Sequence, residues 1–426
     1  MQLNNISNIV VGKVVMHGSK SISNRVLIIR ELSNDNCTIS NLSLSDDTQR
    51  ILYYINMINT CGSSGIPMVI DANNAGTVSR FLSTFLVYRE GTWLLTGNLR
   101  MQERPIKGLV DGLRLLGADI TYVNKEGNIP LRIIGKDIRG GQISVDVSES
   151  SQFISAIMMI GPYLEDGLKI DFMGHPVSLP YIEMTQKLMQ KFGAYVDMNN
   201  EGVKILRGKY QFHPFSVESD WSSASYWYEA AALADETDVT IAGLTKNSLQ
   251  GDSVLADIYE DFGVTTIFSA EGIRLSKTKN IVGKFSYDFE GCPDIVPSVM
   301  VTCAALGITG IFKNIGHLAF KESNRIKALT QELKKIGATL IKEKNKYILT
   351  PNNSNVESLL VGSDNNLSFS TYGDHRIAMS LAPLVLKYNQ IEICNSDVVK
   401  KSYPEFWDDF KKLKFATLNS DNKKSN

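Results

Sequence analysis

Helices that are apolar on nearly every side recur along this chain, and a short polar stretch opens each of them. The apolar segments include residues 153–160, 226–234, 299–306 and 377–386. The polar openings are Ser19–Ser21, Ala75–Thr77, Ser150–Gln152, Ser222–Ala224, Pro293–Asp294 and Gly373–Arg376. A helix without a polar face belongs inside a layer rather than on a surface. The pattern therefore predicts buried helices that carry their polar chemistry at their amino-terminal ends.

The openings recur at nearly constant intervals. The markers Ser21, Gly76, Ser150, Ser222, Pro293 and Gly373 are separated by 55, 74, 72, 71 and 80 residues. Such a period predicts six copies of one unit. The short first interval predicts that the first copy lacks part of a strand pair.

Each unit is expected to hold a buried helix, a strand, an amphipathic helix and further strands. The strands after the buried helices are predicted at Thr38–Asn41, Trp93–Gly97, Leu168–Gly174, Val239–Gly243, Ile311–Gly316 and Ile391–Asn395. The amphipathic helices are expected to stop at left-handed glycines. These are Gly62, Gly117, Gly193, Gly263 and Gly337, and the sixth unit has none.

The length and the repeat together predict two domains. At 426 residues the chain exceeds one ordinary core. Three units on each side of Glu218–Asp220 give two α/β lobes with a cleft between them. The polar residues 419–426 are expected to form a disordered tail.

Composition narrows the function. The 44 basic and 45 acidic residues give a net charge of -1, which argues against a nucleic-acid partner or an anionic membrane surface. Five cysteines without CxxC spacing favour a reducing cytoplasm. We also expect neither a signal peptide, nor a membrane span, nor a metal site.

Against this neutral background, cations gather at the helix openings and in the loops before them. They are Lys20, Arg25, Arg80, Arg104, Lys321, Arg325, Arg376 and Lys401. Helix amino-termini bind anions, and Arg and Lys add charge to them. We interpret the set as a pocket for several negative charges. Asp294 and Glu322 are candidates for moving protons there, whereas Asp374 and Asp46–Asp47 are interpreted as helix caps.

The same residues carry a family resemblance that runs from end to end. The motifs are Gly18-Ser19-Lys20-Ser21 with Ser23-Asn24-Arg25, Asn74-Ala75-Gly76-Thr77 with Arg80, Gln102-Glu103-Arg104-Pro105-Ile106, Ser150-Ser151-Gln152, Lys321-Glu322-Ser323-Asn324-Arg325, Asp374-His375-Arg376 and Lys401-Ser402-Tyr403-Pro404. With them, the chain resembles the EPSP synthase (3-phosphoshikimate 1-carboxyvinyltransferase) family of enolpyruvyl transferases.

The resemblance implies a fold and an activity. The fold has two lobes of three βαβαββ units, residues 18–219 and 220–418, with the amino-terminal residues 1–17 joining the second lobe. The activity moves the enolpyruvyl group of phosphoenolpyruvate to the 5-hydroxyl of shikimate 3-phosphate and releases phosphate. It belongs to aromatic amino-acid biosynthesis by the shikimate pathway, needs no cofactor and is carried out by a monomer. The family is the target of glyphosate, but the sensitivity of this chain does not follow from the resemblance.

The resemblance also implies residue roles. Shikimate 3-phosphate would contact Lys20, Ser21, Arg25, Ser150, Ser151, Gln152, Ser178, Tyr181, Asp294, His317 and Lys321. Phosphoenolpyruvate would contact Lys20, Gly76, Arg104, Gln152, Arg325, Arg376 and Lys401. Asp294 would take the hydroxyl proton, and Glu322 with Lys20 would protonate the methylene carbon to form a tetrahedral intermediate.

Some positions depart from the family pattern. His317 stands where the family has an asparagine that contacts shikimate 3-phosphate, so that contact is in doubt, although histidine also donates hydrogen bonds. His17, Ser79 and Phe81 also differ from the usual residues.

Two alternatives stay open. The sister enzyme that modifies a UDP-N-acetylglucosamine shares the fold but uses a cysteine in the second unit, and no cysteine lies between Cys61 and Cys292. A non-catalytic anion-binding protein would have no need of Asp294 and Glu322.

Overall fold

The computed structural model describes residues 1–60, 66–148, 150–174, 177–352 and 367–419. It divides into two compact units, Gly18–Val217 and a discontinuous one of Met1–His17 with Glu218–Asn426. The sequence predicts the division two residues later.

The α-helices of the described residues carry the polar openings at their first turns. They are α1 (Lys20–Ser33), α2 (Asp46–Thr60), α3 (Gly76–Tyr88), α4 (Leu99–Glu103), α5 (Lys107–Leu115), α6 (Ser151–Ile160), α7 (Leu179–Lys191), α8 (Trp221–Leu233), α9 (Leu255–Ile258), α10 (Val296–Ala305), α11 (Arg325–Lys334), α12 (His375–Leu381) and α13 (Phe406–Lys412). Short 3-10 turns lie at Gly161–Tyr163, Gly251–Val254, Tyr259–Asp261, Pro293–Ile295, Gly316–Phe320, Ala382–Leu386 and Ser396–Lys401.

The strands of the described residues are short. They are β1 (Gln2–Asn5), β2 (Ile9–Val15), β3 (Ile39–Ser40), β4 (Met68–Asp71), β5 (Gly91–Thr96), β6 (Asp119–Tyr122), β7 (Leu131–Gly135), β8 (Gly141–Asp146), β9 (Leu168–Met173), β10 (Val196–Asn199), β11 (Gly202–Ile205), β12 (Phe215–Ser216), β13 (Glu236–Ala242), β14 (Phe262–Ser269), β15 (Gly272–Ile281), β16 (Lys284–Asp288), β17 (Thr309–Lys313), β18 (Ala338–Glu343), β19 (Lys346–Pro351), β20 (Leu367–Phe369), β21 (Gln390–Ile393) and β22 (Ala416–Asn419).

Every four-stranded sheet of the described residues has the same pairing, one parallel pair followed by two antiparallel ones. In unit 18–217 the orders are β4-β5-β7-β6 and β8-β9-β11-β10. In the other unit they are β2-β13-β15-β14, β16-β17-β19-β18 and β20-β21-β1-β22. The amino-terminal strand β1 thus completes the last sheet, pairing Leu3 with Ile391 and Leu418.

The first repeat departs from this pattern, as its short interval predicts. Its strand β3 pairs in parallel with β12 in a sheet of only those two strands among the described residues. Among the described residues of this repeat, the antiparallel pair that the other repeats add does not occur. The first repeat is therefore built mainly from its two helices.

Three apolar helices pack on one another in each unit, α1, α3 and α6 in one and α8, α10 and α12 in the other. Every residue of α8 is buried, and so is Val296–Ala304 of α10. The prediction of buried helices is confirmed. The helix predicted to run to residue 386 becomes a 3-10 turn after Leu381 because Pro383 has no N–H to continue the α-helical pattern.

The predicted stops are observed at Gly117, Gly193 and Gly337, which closely follow α5, α7 and α11, whereas Gly263 lies inside β14. Gly117, Gly193, Gly263 and Gly337 all have positive φ angles, between 75° and 99°, where a side chain would be strained. Gly62 lies outside the described residues. The expected tail is wrong at Asn419, which ends β22, and its other residues lie outside the described part of the chain.

Candidate active site

Asp294 lies in the turn Pro293–Ile295 that leads into the buried helix α10. Its Oδ1 accepts a hydrogen bond from Arg325 Nη1 at 3.1 Å, and its Oδ2 accepts one from Arg376 Nη2 at 2.7 Å. Burial by itself raises the pKa of this carboxyl, but the positive charges of Arg376, Lys321 and Arg325 outweigh burial and hold the pKa well below its ordinary value. Asp294 is therefore ionised at neutral pH.

Arg325 is the first residue of α11, and its side chain is almost entirely buried. Its guanidinium bonds three carboxylates: Asp294, Glu322 at 2.8 Å and Asp374 at 2.8 Å. Burial lowers the pKa of this guanidinium, but the three carboxylates raise it to a value above its ordinary one. One fixed cation therefore holds three acidic groups together.

Asp374 does more than the helix cap that the sequence predicts. Its Oδ1 accepts a hydrogen bond from the backbone N–H of Arg376 at 3.0 Å, which caps α12. Its Oδ2 accepts hydrogen bonds from Arg325 Nε at 2.8 Å and from Ser323 Oγ at 3.1 Å. The fully buried carboxylate thus fixes the start of α12 to the start of α11.

Glu322 extends the cluster to a further cation. Its Oε2 accepts the hydrogen bond from Arg325, and its Oε1 lies 3.4 Å from Lys401 Nζ. Both side chains are mostly buried, Glu322 at 12% and Lys401 at 13% exposed. The two carboxylates predicted to move protons are therefore joined through one guanidinium.

His317 lies on the 3-10 turn Gly316–Phe320, and Lys321 directly follows that turn. Both residues border the same cluster. Burial and then the positive charge of Lys321 lower the pKa of His317 to about 4, although Asp294 opposes the shift. His317 is therefore neutral at physiological pH. Its Nε2 is buried and has no hydrogen-bond partner among the described residues.

In unit 18–217, Lys20 begins α1, and its Nζ lies 3.1 Å from Asp47 Oδ2. Both side chains are buried. The sequence predicts only a cap for Asp47, so this partner was missed. The signal for it was weak, because Asp46 and Asp47 look alike and only the fold decides which one turns inward.

Arg25, on the next turn of α1, is buried, and its hydrogen bonds to described residues go to neutral groups. Its Nε donates to Thr185 Oγ1 at 2.7 Å, and its Nη1 donates to the Ser21 carbonyl at 2.8 Å. Its Nη2 donates to Ser155 Oγ at 3.2 Å and to the Tyr181 carbonyl at 3.1 Å. Burial lowers the pKa of Arg25 to about 10, so the guanidinium is still charged at neutral pH. Four of its five N–H groups are thus used inside the unit.

Gly76 opens α3 directly against two guanidinium groups. A Cβ on Gly76 would lie 2.8 Å from Arg104 Nη2 and still closer to Arg80 Nη1, so it would clash with both guanidinium groups. Arg80 also donates to the Pro105 carbonyl at 3.1 Å. Arg104 is buried and forms no ion pair with a described residue. Because Gly76 has no side chain, both guanidinium groups can lie directly against the start of α3.

The remaining predicted residues lie at two other helix starts. Ser150 caps α6 by accepting a hydrogen bond from the N–H of Gln152 at 3.3 Å, Ser151 is buried, and Gln152 Oε1 has no partner in the described ranges. Ser178 precedes α7 in the left-handed conformation and is buried. Tyr181, on the first turn of α7, has its ring 6.0 Å from the Arg25 guanidinium carbon.

Within each unit, then, several of the predicted residues lie at the starts of its buried helices. A hydrogen bond from Asn24 Nδ2 to Thr77 Oγ1 at 3.0 Å joins the starts of α1 and α3. In the other unit, the Asp294–Arg376 contact joins the starts of α10 and α12. No grouping of His, Cys, Asp and Glu suited to a metal ion occurs among the described residues, and no helix there is long and apolar enough to cross a bilayer.

Comparison with known proteins relates nearly the whole chain to one family. The family model of EPSP synthase (3-phosphoshikimate 1-carboxyvinyltransferase) matches residues 5–410. The chain is 42% identical to the 3-phosphoshikimate 1-carboxyvinyltransferase of Bacteroides fragilis over 95% of both chains. It is 34% identical to that of Pasteurella multocida over 97% of this chain and 98% of the relative.

Solved structures show the same fold. An EPSP synthase from Acinetobacter baumannii superposes with a TM-score of 0.74 at 20% identity, covering 98% of this chain and all of the other. The family model and the curated relatives thus define an enolpyruvyl (carboxyvinyl) transferase, and the chain folds into two α/β units. The chain belongs to the EPSP synthase family.

Proposed function

We propose that this chain transfers the enolpyruvyl group of phosphoenolpyruvate to the 5-hydroxyl of shikimate 3-phosphate and releases phosphate. The names of its relatives describe this reaction. The observation that carries the proposal is the pair Asp294 and Glu322 bonded to one buried guanidinium, Arg325. A protein that only bound anions would gain nothing from carboxylates at this place.

Asp294 is the proposed base. In the resting unit its bonds to Arg325 and Arg376 make it a weak one. An anionic substrate on the same two guanidinium groups draws positive charge away from Asp294 and raises the pKa of its carboxyl. Asp294 therefore becomes a better base when the substrate is bound.

The proposed reaction has two steps, an addition and an elimination. The acceptor hydroxyl gives its proton to Asp294 as its oxygen bonds to C2 of phosphoenolpyruvate. The C2–C3 double bond takes up a proton at C3 from the carboxylic acid form of Glu322, which must bind that proton before the addition and recovers it in the elimination. In the elimination step the C2–O bond to phosphate breaks, C3 returns its proton to Glu322, and phosphate leaves with the proton held by Asp294.

The cations hold the anions and stabilise the intermediate. We assign phosphoenolpyruvate to Gly76, Arg104, Gln152, Arg325, Arg376 and Lys401, and shikimate 3-phosphate to Ser21, Ser150, Ser151, Gln152, Ser178, Tyr181, His317 and Lys321. We assign Lys20 to both substrates and as an aid to C3 protonation, oriented by Asp47. Fixed charges of this kind need no reorganisation as the reaction proceeds.

Arg25 has a narrower proposed role. With four N–H groups already used, it offers shikimate 3-phosphate at most one hydrogen bond. Its main contribution is a buried positive charge and the positioning of Ser21 and Tyr181 through their carbonyls. A bidentate phosphate contact is not available to it.

A phosphate-release assay with phosphoenolpyruvate and shikimate 3-phosphate tests the proposal. Release that depends on both substrates is expected, and UDP-N-acetylglucosamine is expected not to replace shikimate 3-phosphate. Calorimetric binding of both ligands without any release would favour the non-catalytic binder instead.

We further propose that the enzyme is a cytoplasmic monomer. The thiols Cys37, Cys292, Cys303 and Cys394 are free in the structure, as a reducing compartment would keep them. Light scattering on a sizing column tests the monomer, since a mass near 47.2 kDa is expected.

A further inference from the structure

Glu332 is a buried carboxylate that the proposed reaction does not use. It lies on α11 and is 1% exposed. Its Oε1 accepts a hydrogen bond from the hydroxyl of Tyr372 at 2.5 Å. Its Oε2 accepts one from the backbone N–H of Ser370 at 3.0 Å and one from Lys335 Nζ at 2.6 Å. Two of these three donors belong to the loop 370–373, which follows β20 and leads to α12.

The loop 370–373 has an unfavourable backbone conformation. Tyr372 and Gly373 both have positive φ angles, 54° and 67°. A tyrosine rarely takes up this left-handed conformation, because its Cβ is crowded there, so its surroundings must hold it in place. Tyr372 is 41% exposed, and burial of its ring therefore contributes little to this restraint. The hydrogen bond from its hydroxyl to Glu332 supplies the restraint.

The loop leads directly into the candidate active site. The N–H of Asp374 donates to the Thr371 carbonyl at 2.9 Å, which closes the turn. Asp374 then caps α12, and Arg376 on this helix bonds Asp294 at 2.7 Å. A change in the turn therefore displaces the start of α12 and, with it, the guanidinium of Arg376.

Helix α11 holds this segment at two points. Arg325, its first residue, bonds Asp374 at 2.8 Å, and Glu332, further along the helix, bonds Tyr372. Lys335 strengthens the second point, because its Nζ also donates to a backbone carbonyl of β20 at 2.8 Å. The first point fixes the cap of α12, whereas the second point fixes the turn before it.

We propose that Glu332 is a positioning residue of the transfer reaction, which holds the loop 370–373 and thereby sets where Arg376 lies. This inference rests on the proposed function, in which Arg376 contacts phosphoenolpyruvate but not shikimate 3-phosphate. Without the bonds to Glu332, the start of α12 is free to move about its remaining bond to Arg325. Binding of phosphoenolpyruvate is then weakened, while binding of shikimate 3-phosphate is preserved. A residue that served stability alone would not change one affinity and spare the other.

A first experiment needs no activity. Amide hydrogen exchange of the full chain is followed by NMR in the wild type and in Tyr372→Phe, which removes only the hydroxyl of an exposed side chain. The N–H groups of Ser370 and Arg376, each bonded to a carboxylate, are expected to exchange about threefold to tenfold faster in the variant. Tyr347→Phe, which removes a partly buried hydroxyl from β19 of the same unit, is the matched control and leaves this exchange unchanged. Wild-type exchange rates in Tyr372→Phe would overturn the proposal.

A second experiment measures the KM of each substrate in the phosphate-release assay. In Tyr372→Phe, the KM for phosphoenolpyruvate is expected to rise about threefold to tenfold, whereas the KM for shikimate 3-phosphate changes less than about twofold. Glu332→Ala loses both bonds to the loop, so it is expected to raise the first KM about tenfold to a hundredfold. Glu332→Gln keeps an oxygen that accepts from the loop and is expected to lie between the wild type and Glu332→Ala. Tyr347→Phe keeps both wild-type values. An equal rise of both KM values in Tyr372→Phe, or an unchanged KM for phosphoenolpyruvate, would overturn the proposal.

The two readouts separate the two ideas. If the loop amides respond to Tyr372→Phe but the wild type releases no phosphate, the proposed function is refuted and Glu332 still holds the loop. If the wild type is active but its KM for phosphoenolpyruvate is the same in Tyr372→Phe, the role of Glu332 alone is refuted. Should Glu332→Ala fail to fold, Tyr372→Phe still decides, because it changes only an exposed side chain.

Discussion

The two units treat their buried cations in opposite ways. In unit 18–217, Arg25 bonds hydroxyls and carbonyls, and Arg104 forms no ion pair with a described residue. In the other unit, Arg325 and Arg376 bond carboxylates. Lys20, paired with Asp47, is the exception in the first unit.

We interpret this difference between the units as a separation of anion binding from proton transfer. A buried cation without a carboxylate partner is not neutralised by the protein, and an anionic substrate supplies the missing negative charge. A cation already bonded to a carboxylate instead keeps that acid ionised and in place until a substrate competes for it. We infer that unit 18–217 contributes mainly anion binding and that the other unit contributes the acid–base groups.

The largest test of this contrast is Asp294→Asn, which keeps the shape of the side chain and removes the proposed base. We expect kcat to fall about a hundredfold to ten-thousandfold while calorimetry finds shikimate 3-phosphate still bound. Asp397→Asn, at an exposed site of the same unit, is the control. Normal turnover in Asp294→Asn would remove the acid–base assignment.

Gly76→Ala tests the binding unit. The added methyl group displaces Arg80 and Arg104, so we expect the KM for phosphoenolpyruvate to rise about tenfold to a hundredfold, with a smaller change in kcat. Gly208→Ala is the control in the same unit, since its added Cβ meets no atom within 4 Å. If instead kcat fell and KM stayed constant, the division of labour between the units would be wrong.

His317→Asn is expected to have a smaller effect, because the histidine is already neutral at the pH of the assay. We expect the KM for shikimate 3-phosphate to change less than about tenfold and the pH profile to keep its shape above pH 5.5. The direction in which stability changes with pH also follows from the lowered pKa of His317. Because the pKa of His317 is lowered by folding, the wild type loses stability as the pH falls from about 6.5 towards 4, and His317→Asn is expected to lose less. Urea unfolding at several pH values measures this.

Glu229→Gln is expected to have the smallest effect, because it changes the stability of the second unit and not the reaction. Glu229 lies inside α8, burial raises the pKa of its carboxyl well above the ordinary value, and neither oxygen has a partner in the described ranges. The protein therefore becomes less stable as the pH rises above the unfolded pKa of glutamate. We expect Glu229→Gln to raise Tm by about 2–4 °C at pH 8 and by less at pH 5. An equal shift at both values would mean that ionisation is not the cause.

Some contacts of the site could not be predicted from the hydrophobic and polar pattern of the sequence, for a physical reason. Asp374 was predicted as a cap, and its bond to Arg325 crosses 49 positions of sequence. Asp47 looks in sequence like an ordinary acid near a helix start. Whether such an acid turns to solvent or to a cation depends on packing between distant segments, which local pattern does not encode.

The sequence by itself determined the repeat, the buried helices, their glycine stops and the family, because periodicity and motif spacing are local properties of the chain. It also singled out the cations and the two acids Asp294 and Glu322. Only the tertiary structure decided which cation meets which acid, since the charge state and strength of a buried group depend on neighbours brought together by folding. From that pairing we infer that unit 18–217 contributes mainly anion binding and that the other unit contributes the acid–base groups.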